Sequence, residues 1–402
     1  MHSAVLVINC GSSSVKFSCI EAGTQALLCG GMAEKLLTEA AVVTIELGDE
    51  TTKTAMPMGG HAEAISAIYS ALQQAGIAER IAAVGHRVVH GAEAFKSSVV
   101  ITDAVLDTIE RCASFAPLHN PANLLGIKMM QQLAPHWPQV AVFDTAFHQT
   151  LPPEAFLYGV PMPWYRDFGV RRYGFHGSSH RFVCQQAAHM LGIPLSNSAF
   201  ITAHLGNGSS AAAILNGKSV DTTMGFTPLE GLVMGTRSGD VDAGLLPYLA
   251  TSLQMSTNEV IGLLNTKSGL LGLSGLSNDM RTLSEAASSG NAGAALAIEV
   301  FVFRLAKAIG ALAISLPRLD ALVFTGGIGE NSVMVRSKTL ARLSILGFEE
   351  DATQNALCIR GRSGTISSAA STTALVANTN EELMIATDTL RVLAERVEGL
   401  GD

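Results

Sequence analysis

VLVINCGSSSVKFSCI, residues Val5 to Ile20, is an apolar run, a Gly/Ser turn and a second apolar run. About half a chain later the pattern returns as FITAHLGNGSSAAAILNG, Phe200 to Gly217. Gly11-Ser12-Ser13 and Gly208-Ser209-Ser210 are read as the two turns, with Asn9 and Asn207 beside them. A glycine-serine turn between strands aims backbone N–H groups and hydroxyls at one point, which suits a phosphate. One such turn in each half implies a duplicated α/β fold gripping a polyphosphate from two sides. Taken alone, the echo is equally compatible with two ordinary hairpins.

The chain of 402 residues is long enough for two domains, or two lobes around a cleft. Its 48% hydrophobic content supports large cores, while 39 glycines and 5% aromatics imply tight turns and small-residue packing. A net charge of -8, with no basic run, argues against a nucleic-acid surface. The six cysteines lack any CxxC spacing and read as reduced thiols of a cytoplasmic protein. MHSAVLV has neither a basic n-region nor a cleavage site, so it reads as a strand and not a signal peptide. The most apolar stretch, Ala294 to Leu316, carries Glu299, Arg304 and Lys307 and reads as a buried helix, not a membrane span.

The first half opens with an expected antiparallel meander through about Cys29, then a helix from His61 to Ala75. Ala83–Val89 and Val140–Phe143 read as buried strands, and Asp144 stands just past the second, where open α/β sheets collect ligands. Ser179–Leu191 reads as a helix closed by Gly192, Asn216-Gly217 as a hairpin turn, and Asn291–Leu316 as a long helix stopped by Pro317. Ala321–Thr325 is a buried strand running into GGIGEN, Gly326 to Asn331, which reads as a glycine loop. Glu381–Val397 is a closing helix that packs back on the first half. The expected lobes are therefore 1–148 plus 383–402, and 149–382.

Several residue types suit anion chemistry. Arg87 in GHRVVHG and Arg237 in MGTRSGD lie in glycine-rich surroundings, and a guanidinium fork matches a carboxylate or phosphate. Elsewhere an arginine is usually a surface residue. His86/His90 and His176/His180 have a zinc-like i, i+4 spacing, but neither is HExxH, so a single histidine donating to a phosphoryl group is favoured. The glycine loop can approach a nucleotide, yet no Walker motif is present. Asp279-Met280-Arg281 reads as a nucleotide contact or, more blandly, a surface ion pair. Acids beside phosphate turns, such as Asp144 and Glu381, are residues of the kind that hold Mg²⁺; the bland roles are a loop cap and a helix-dipole partner.

NCGSSSVKF, PLHNP, FDTAFHQT, RRYGFHGSSH, HLGNGSS, TPLEGLVMGTRSGD, FTGGIGEN and TNEE follow one another in this order. Together they closely resemble the acetate/propionate kinase family of the actin-like ATPase superfamily, over nearly the whole chain. The resemblance implies an α/β fold of two duplicated ribonuclease-H-like lobes, a homodimer, and reversible phosphoryl transfer between ATP and acetate. It implies Mg²⁺ (Mn²⁺ as a substitute) at Asn9 and Glu381. It implies ATP contacts from Ser12, Ser14, Lys16, His204, Leu205, Gly206, Asn207, Gly208, Asp279, Met280, Arg281, Gly326, Gly327, Ile328, Gly329, Glu330 and Asn331. It places Arg87 on the substrate carboxylate, Asp144 as catalytic acid, and His176 and Arg237 on the transition state. Val89, Leu118, His119, Phe175 and Pro228 would surround the acyl group. Ala92 and Ser178 depart from the family's usual Gly and Thr without touching a proposed catalytic group.

Acetate is ionised at neutral pH, so the forward reaction needs no general base. Asp144 accordingly reads as an organiser of Mg²⁺ and nucleophile. Two alternatives stand beside this reading: a propionate kinase, and an actin-like ATPase module whose output is conformational. A carboxylate clamp built from Arg87 and Arg237 beside a small apolar pocket separates a kinase from the latter. No nucleic acid or membrane partner is expected.

Overall fold

The computed structural model describes residues 4–117 and 119–398. β1 (Ala4–Cys10) is AVLVINC, an almost wholly apolar strand buried on both faces. It pairs antiparallel with β2 (Ser14–Glu21), which pairs with β3 (Leu27–Glu34). The meander does not stop near Cys29 as expected. It continues through β4 (Val42–Leu47) and the exposed β5 (Glu50–Ala55), whose polar alternation gave no core signal. On the other side β1 runs parallel to β6 (Ile81–Val88), and β6 to β8 (Gln139–Phe143), edged by the short β7 (Val99–Val100). The sheet order is β5-β4-β3-β2-β1-β6-β8-β7.

The second sheet repeats this scheme. β9 (Ala199–Leu205), β10 (Ser209–Leu215) and β11 (Lys218–Thr222) form the antiparallel part. β12 (Ala321–Thr325) and then β14 (Ala374–Val376) continue parallel to β9, with β13 (Gly364–Thr365) at the edge. Both sheets thus contain three antiparallel strands (β3-β2-β1 and β11-β10-β9) followed by two parallel ones (β6-β8 and β12-β14), the arrangement expected of a ribonuclease-H-like lobe, present twice; β4 and β5 extend the first.

The chain divides into two compact units, Met1–Phe147 with Asn380–Asp402, and His148–Thr379. Asn380, Glu381 and Glu382 therefore group with the first unit, a few residues earlier than the sequence boundary. In that unit Leu6, Ile8, Phe17, Ile65, Ile68 and Met130 form one core, which joins the sheet to the helices His61–Gln74 and Asn120–Leu133. Val5, Val7, Val140 and Val142, on the opposite face of the sheet, cluster with Ile385, Ala386 and Val392 of the closing helix Glu381–Glu398. In the second unit, Phe301, Val302, Leu305 and Ile309 of the helix Ala292–Ala313 pack with Ile201, Leu322 and Phe324 of the sheet.

Local chemistry explains the element ends. The Asn291 side chain caps the long helix by accepting from the Ala294 N–H at 2.9 Å. That helix ends at Ala313, three residues short of the expected Leu316. The residue before Pro317 is disfavoured in helical backbone, and Ile314–Leu316 tighten into i→i−3 turns. Asn216 and Gly217 adopt φ of 53° and 76°, the left-handed pair of a two-residue hairpin. GGIGEN is the short helix Gly326–Asn331, not a loop. No helix among the described residues is long and apolar enough to cross a membrane.

Candidate active site

The β1–β2 turn is Gly11-Ser12-Ser13, closed by the Gly11 N–H on the Ser14 carbonyl at 2.8 Å. Its counterpart in the second unit is Gly206-Asn207-Gly208, closed by the Gly206 N–H on the Gly208 carbonyl at 3.0 Å. The echo is thus out of register with the sequence reading. Ser209 and Ser210 are not in the turn but are buried residues of β10. Asn9 lies on the strand before its turn, whereas Asn207 is inside its own.

In the first unit, Val7, Asn9, Lys16, Arg87, Glu381, Glu382 and Ile385 line a cavity of about 90 Å³. Asn9 is paired across the ladder with Lys16, which forms an ion pair with Glu382. Arg87, next to last in β6, donates from Nε to Asp144 Oδ1 at 2.9 Å and from Nη2 to Asp144 Oδ2 at 2.6 Å. Burial opposes the Arg87 charge, but Asp144, then Glu381 and Glu382, outweigh it and hold the guanidinium above its ordinary range. Asp144 is 1% exposed, is anchored by its N–H on the Val88 carbonyl at 3.0 Å, and does not line this cavity. Its geometry orients Arg87.

Asn9 and Glu381 offer an amide oxygen and a carboxylate in one small polar cavity. Neither side chain makes a hydrogen bond among the described residues. Two hard oxygen donors, completed by phosphate and water, suit Mg²⁺, which rarely takes an all-protein cage. No group of three His, Cys, Asp or Glu side chains among the described residues could hold a metal by itself.

In the second unit, His176 precedes the helix Gly177–Leu191 in left-handed backbone, φ 57°. Its Nδ1 is 2.8 Å from Ser210 Oγ, and its ring stacks on His204 at 4.4 Å. Arg237 donates from Nη1 to the Pro228 carbonyl at 3.2 Å. A Cβ on Gly208 would lie 3.4 Å from His176 Nε2 and 3.5 Å from Arg237 Nη1. The missing side chain therefore marks a notch where two cationic or donor groups converge on bare backbone.

The short helix Gly326–Asn331 follows β12 directly. Gly326 has φ 74°, and a Cβ there would meet the Leu205 backbone at 2.8 Å, so the glycine is required. Glu330 Oε1 accepts the Gly326 N–H at 3.0 Å and the Thr379 N–H at 3.0 Å, which gives it a structural task inside the expected ATP set. Asn331 Nδ2 returns to the Gly327 carbonyl at 3.0 Å. Asp279 caps the helix Met280–Ser288 and pairs with the exposed Arg281 at 2.6 Å, while Met280 is buried. The surface ion pair foreseen as the bland reading is present there. Asn278 Nδ2 donates to Asn207 Oδ1 at 2.9 Å and ties this segment to the glycine turn.

Among the residues assigned to the acyl group, Val89 and Phe175 are buried and His119 and Pro228 half-buried; Leu118 lies outside the described residues. Sequence reasoning missed Asn123. It accepts the Val89 N–H at 3.0 Å and donates to the Cys10 carbonyl at 2.7 Å, joining the ends of β6 and β1. It lies two residues beyond the PLHNP motif, whose own Asn120 accepts the His90 N–H at 3.1 Å. Sequence reasoning also missed Arg336, whose buried guanidinium donates to the Gly329 carbonyl at 2.9 Å and to Asn355 and Cys358.

The Acetokinase family model matches residues 4–387. The chain belongs to the acetokinase family. An acetate kinase of Chromobacterium violaceum is 51% identical over 392 residues, covering 98% of this chain and 99% of that protein. Among solved structures, a propionate kinase from Francisella tularensis has a TM-score of 0.93 at 44% identity, over 97% of this chain and 100% of that one. An acetate kinase of Porphyromonas gingivalis has a TM-score of 0.91 at 43% identity, again over 97% and 100%. In this acetokinase-family chain the two glycine turns and the glycine helix follow strand ends, Arg87 lies next to last in β6, and Arg237 lies in the segment between β11 and the helix Leu245–Leu253.

Proposed function

We propose that the chain transfers the γ-phosphoryl group of ATP to acetate, reversibly and in line, giving acetyl phosphate and ADP. Membership of the acetokinase family makes it a phosphotransferase with a carboxyl group as acceptor. The observation that carries the mechanism is the convergence of His176 Nε2 and Arg237 Nη1 at Gly208. The acetate carboxylate, ionised at neutral pH, attacks phosphorus directly. Charge spreads over the equatorial oxygens, and donors already aimed there stabilise it without reorganisation. His176 and Arg237 act on that charge, and Arg87, held by Asp144, takes the acetate carboxylate. Ser12, Ser14, Lys16, the residues His204–Gly208, Asp279–Arg281 and Gly326–Asn331 are assigned to ATP. Val89, Leu118, His119, Phe175 and Pro228 are assigned to the acyl end. Asn9 and Glu381 would hold Mg²⁺, or Mn²⁺, whose contribution when bound is to neutralise phosphate charge.

Propionate is the second reading, favoured by the likeness to the Francisella propionate kinase. A homodimer in the cytoplasm completes the proposal; six buried unpaired cysteines suit a reducing compartment.

The test traps acyl phosphate as hydroxamate with ATP and formate, acetate, propionate or butyrate. The expected result is turnover with highest kcat/KM for acetate. A clear excess for propionate selects the second reading, and no product with any acid rejects both. Arg87→Ala and Arg237→Ala should each lose about 3–4 kcal/mol of transition-state stabilisation, roughly two to three orders of magnitude in kcat. Near-normal kcat in a folded variant removes that arginine from the mechanism.

A further inference from the structure

His176 does not stand alone. Ser210 Oγ, 2.8 Å from His176 Nδ1, is also 2.7 Å from His180 Nε2. His180 Nδ1 is in turn 2.7 Å from Thr202 Oγ1. His180 comes one helical turn after His176, and Thr202 and Ser210 belong to the adjacent strands β9 and β10. All three supporting residues are fully buried. Neither Ser210 nor His180 has a direct part in the proposed phosphoryl transfer.

The protons in this chain can be counted. A serine hydroxyl has one proton and gives it to one neighbour only. If Ser210 donates to His176 Nδ1, then His180 must donate from Nε2 to Ser210, and Thr202 must donate to His180 Nδ1. Every polar atom is then satisfied. In the reverse arrangement, His180 donates to Thr202, and the Thr202 hydroxyl proton needs another acceptor. Among the described residues Thr202 Oγ1 has no hydrogen-bond partner but His180 Nδ1, so that buried proton would be stranded. Burial, then the neighbouring His148 and His204, hold the His180 pKa well below its ordinary value, so the ring is neutral and carries a single N–H, as the count requires.

We propose that Ser210, backed by His180 and Thr202, is a positioning relay that fixes neutral His176 as the tautomer protonated at Nε2. That N–H is the atom facing the Gly208 notch. The opposite tautomer would aim a lone pair at an anion there. The inference deepens the phosphoryl-transfer reading and rests on it for the role of His176, but the tautomer itself is measurable without turnover.

The first measurement is two-dimensional ¹H–¹⁵N NMR of full-length protein labelled at histidine, with His176 assigned by loss of its signals in His176→Gln. The expected wild-type pattern is a protonated Nε2 and an unprotonated Nδ1. A proton on Nδ1 in neutral His176 overturns the relay, whatever the activity. The second is kinetic. Ser210→Ala should lower kcat about tenfold or more, as loss of an orienting partner does, with KM for ATP and acetate little changed. Thr202→Val keeps the side-chain shape and should shift the tautomer and kcat in the same direction by less, which keeps the kinetic arm open if Ser210→Ala does not fold. Folded variants with unchanged kcat, or with raised KM alone, count against the relay. A correct wild-type tautomer with a fully active His176→Gln would instead overturn the role assigned to His176.

Discussion

Arg87 and Asp144 divide their labour at the scale of single atoms. Asp144 takes Nε and Nη2 of the guanidinium, and Nη1 makes no hydrogen bond among the described residues. A carboxylate approaching Arg87 therefore meets a fork already fixed in plane. Asp144→Asn would keep the size of the side chain but remove its charge and one acceptor. Its kcat/KM for acetate should fall about 10- to 100-fold, with KM for ATP little changed. An unaltered kcat/KM in steady-state assays would show that Asp144 is not needed to hold Arg87. Arg87, Asp144 and His176 were legible because an Arg, Asp or His next to glycine or at a strand end carries a chemical signature. Asn123 and Arg336 were not: an isolated Asn or a helical Arg reads as surface, and only long-range pairing places each of them indoors. Ser210 was read into the glycine turn, whereas it is a residue of β10.

The helix Gly326–Asn331 shows what element-scale sequence reasoning lacks. Three glycines in six residues disfavour helix on propensity, so the segment reads as a loop. Tertiary hydrogen bonds override that preference: Glu330 holds the first turn, and Arg336 on the next helix, Val333–Arg342, holds the Gly329 carbonyl. Burial lowers the Arg336 pKa to about 10, and its donors are directed at carbonyl and amide oxygens rather than at an acid. Arg336→Lys would leave some of those acceptors unpaired, at about 1–3 kcal/mol of stability. If the helix serves ATP, KM for ATP should rise severalfold while KM for acetate stays near wild type. Equal rises in both, or none, would detach Arg336 from the nucleotide. The long apolar strands and the Ala-rich helix were read within a few residues, since burial on both faces leaves a continuous apolar run. β4, buried on one side only, and the exposed β5 left only the short run Ala40–Val43 and went unread.

At the scale of the whole molecule, the duplicated topology was visible as an echo of two turns, although its register was not. Buried neutral histidines also set how the molecule meets acid. Burial holds the His86 pKa down at about 4, against an ordinary 6.5, with the Gln139 hydrogen bond at 2.8 Å pulling weakly the other way. A base depressed in the folded state binds its proton more readily when unfolded. Its contribution is therefore complete above pH 6.5 and is lost as pH falls from there to about 4, on the order of 3 kcal/mol at the acid end. His86→Gln should flatten the fall of unfolding free energy between those limits in urea titrations. Superimposable slopes for the two proteins would mean that His86 does not drive it.

The return of the chain at Asn380 also has a consequence for how the protein is made. A ribosome completes all of His148–Thr379 before it adds the helix that covers Val5, Val7, Val140 and Val142. Until then one face of the first sheet is open and apolar, although its strands were the earliest to emerge. The usual N-terminal-first order of maturation therefore cannot complete the first unit before the segment from Asn380 onward is made. The first unit cannot cover that face until Glu381–Glu398 has been made.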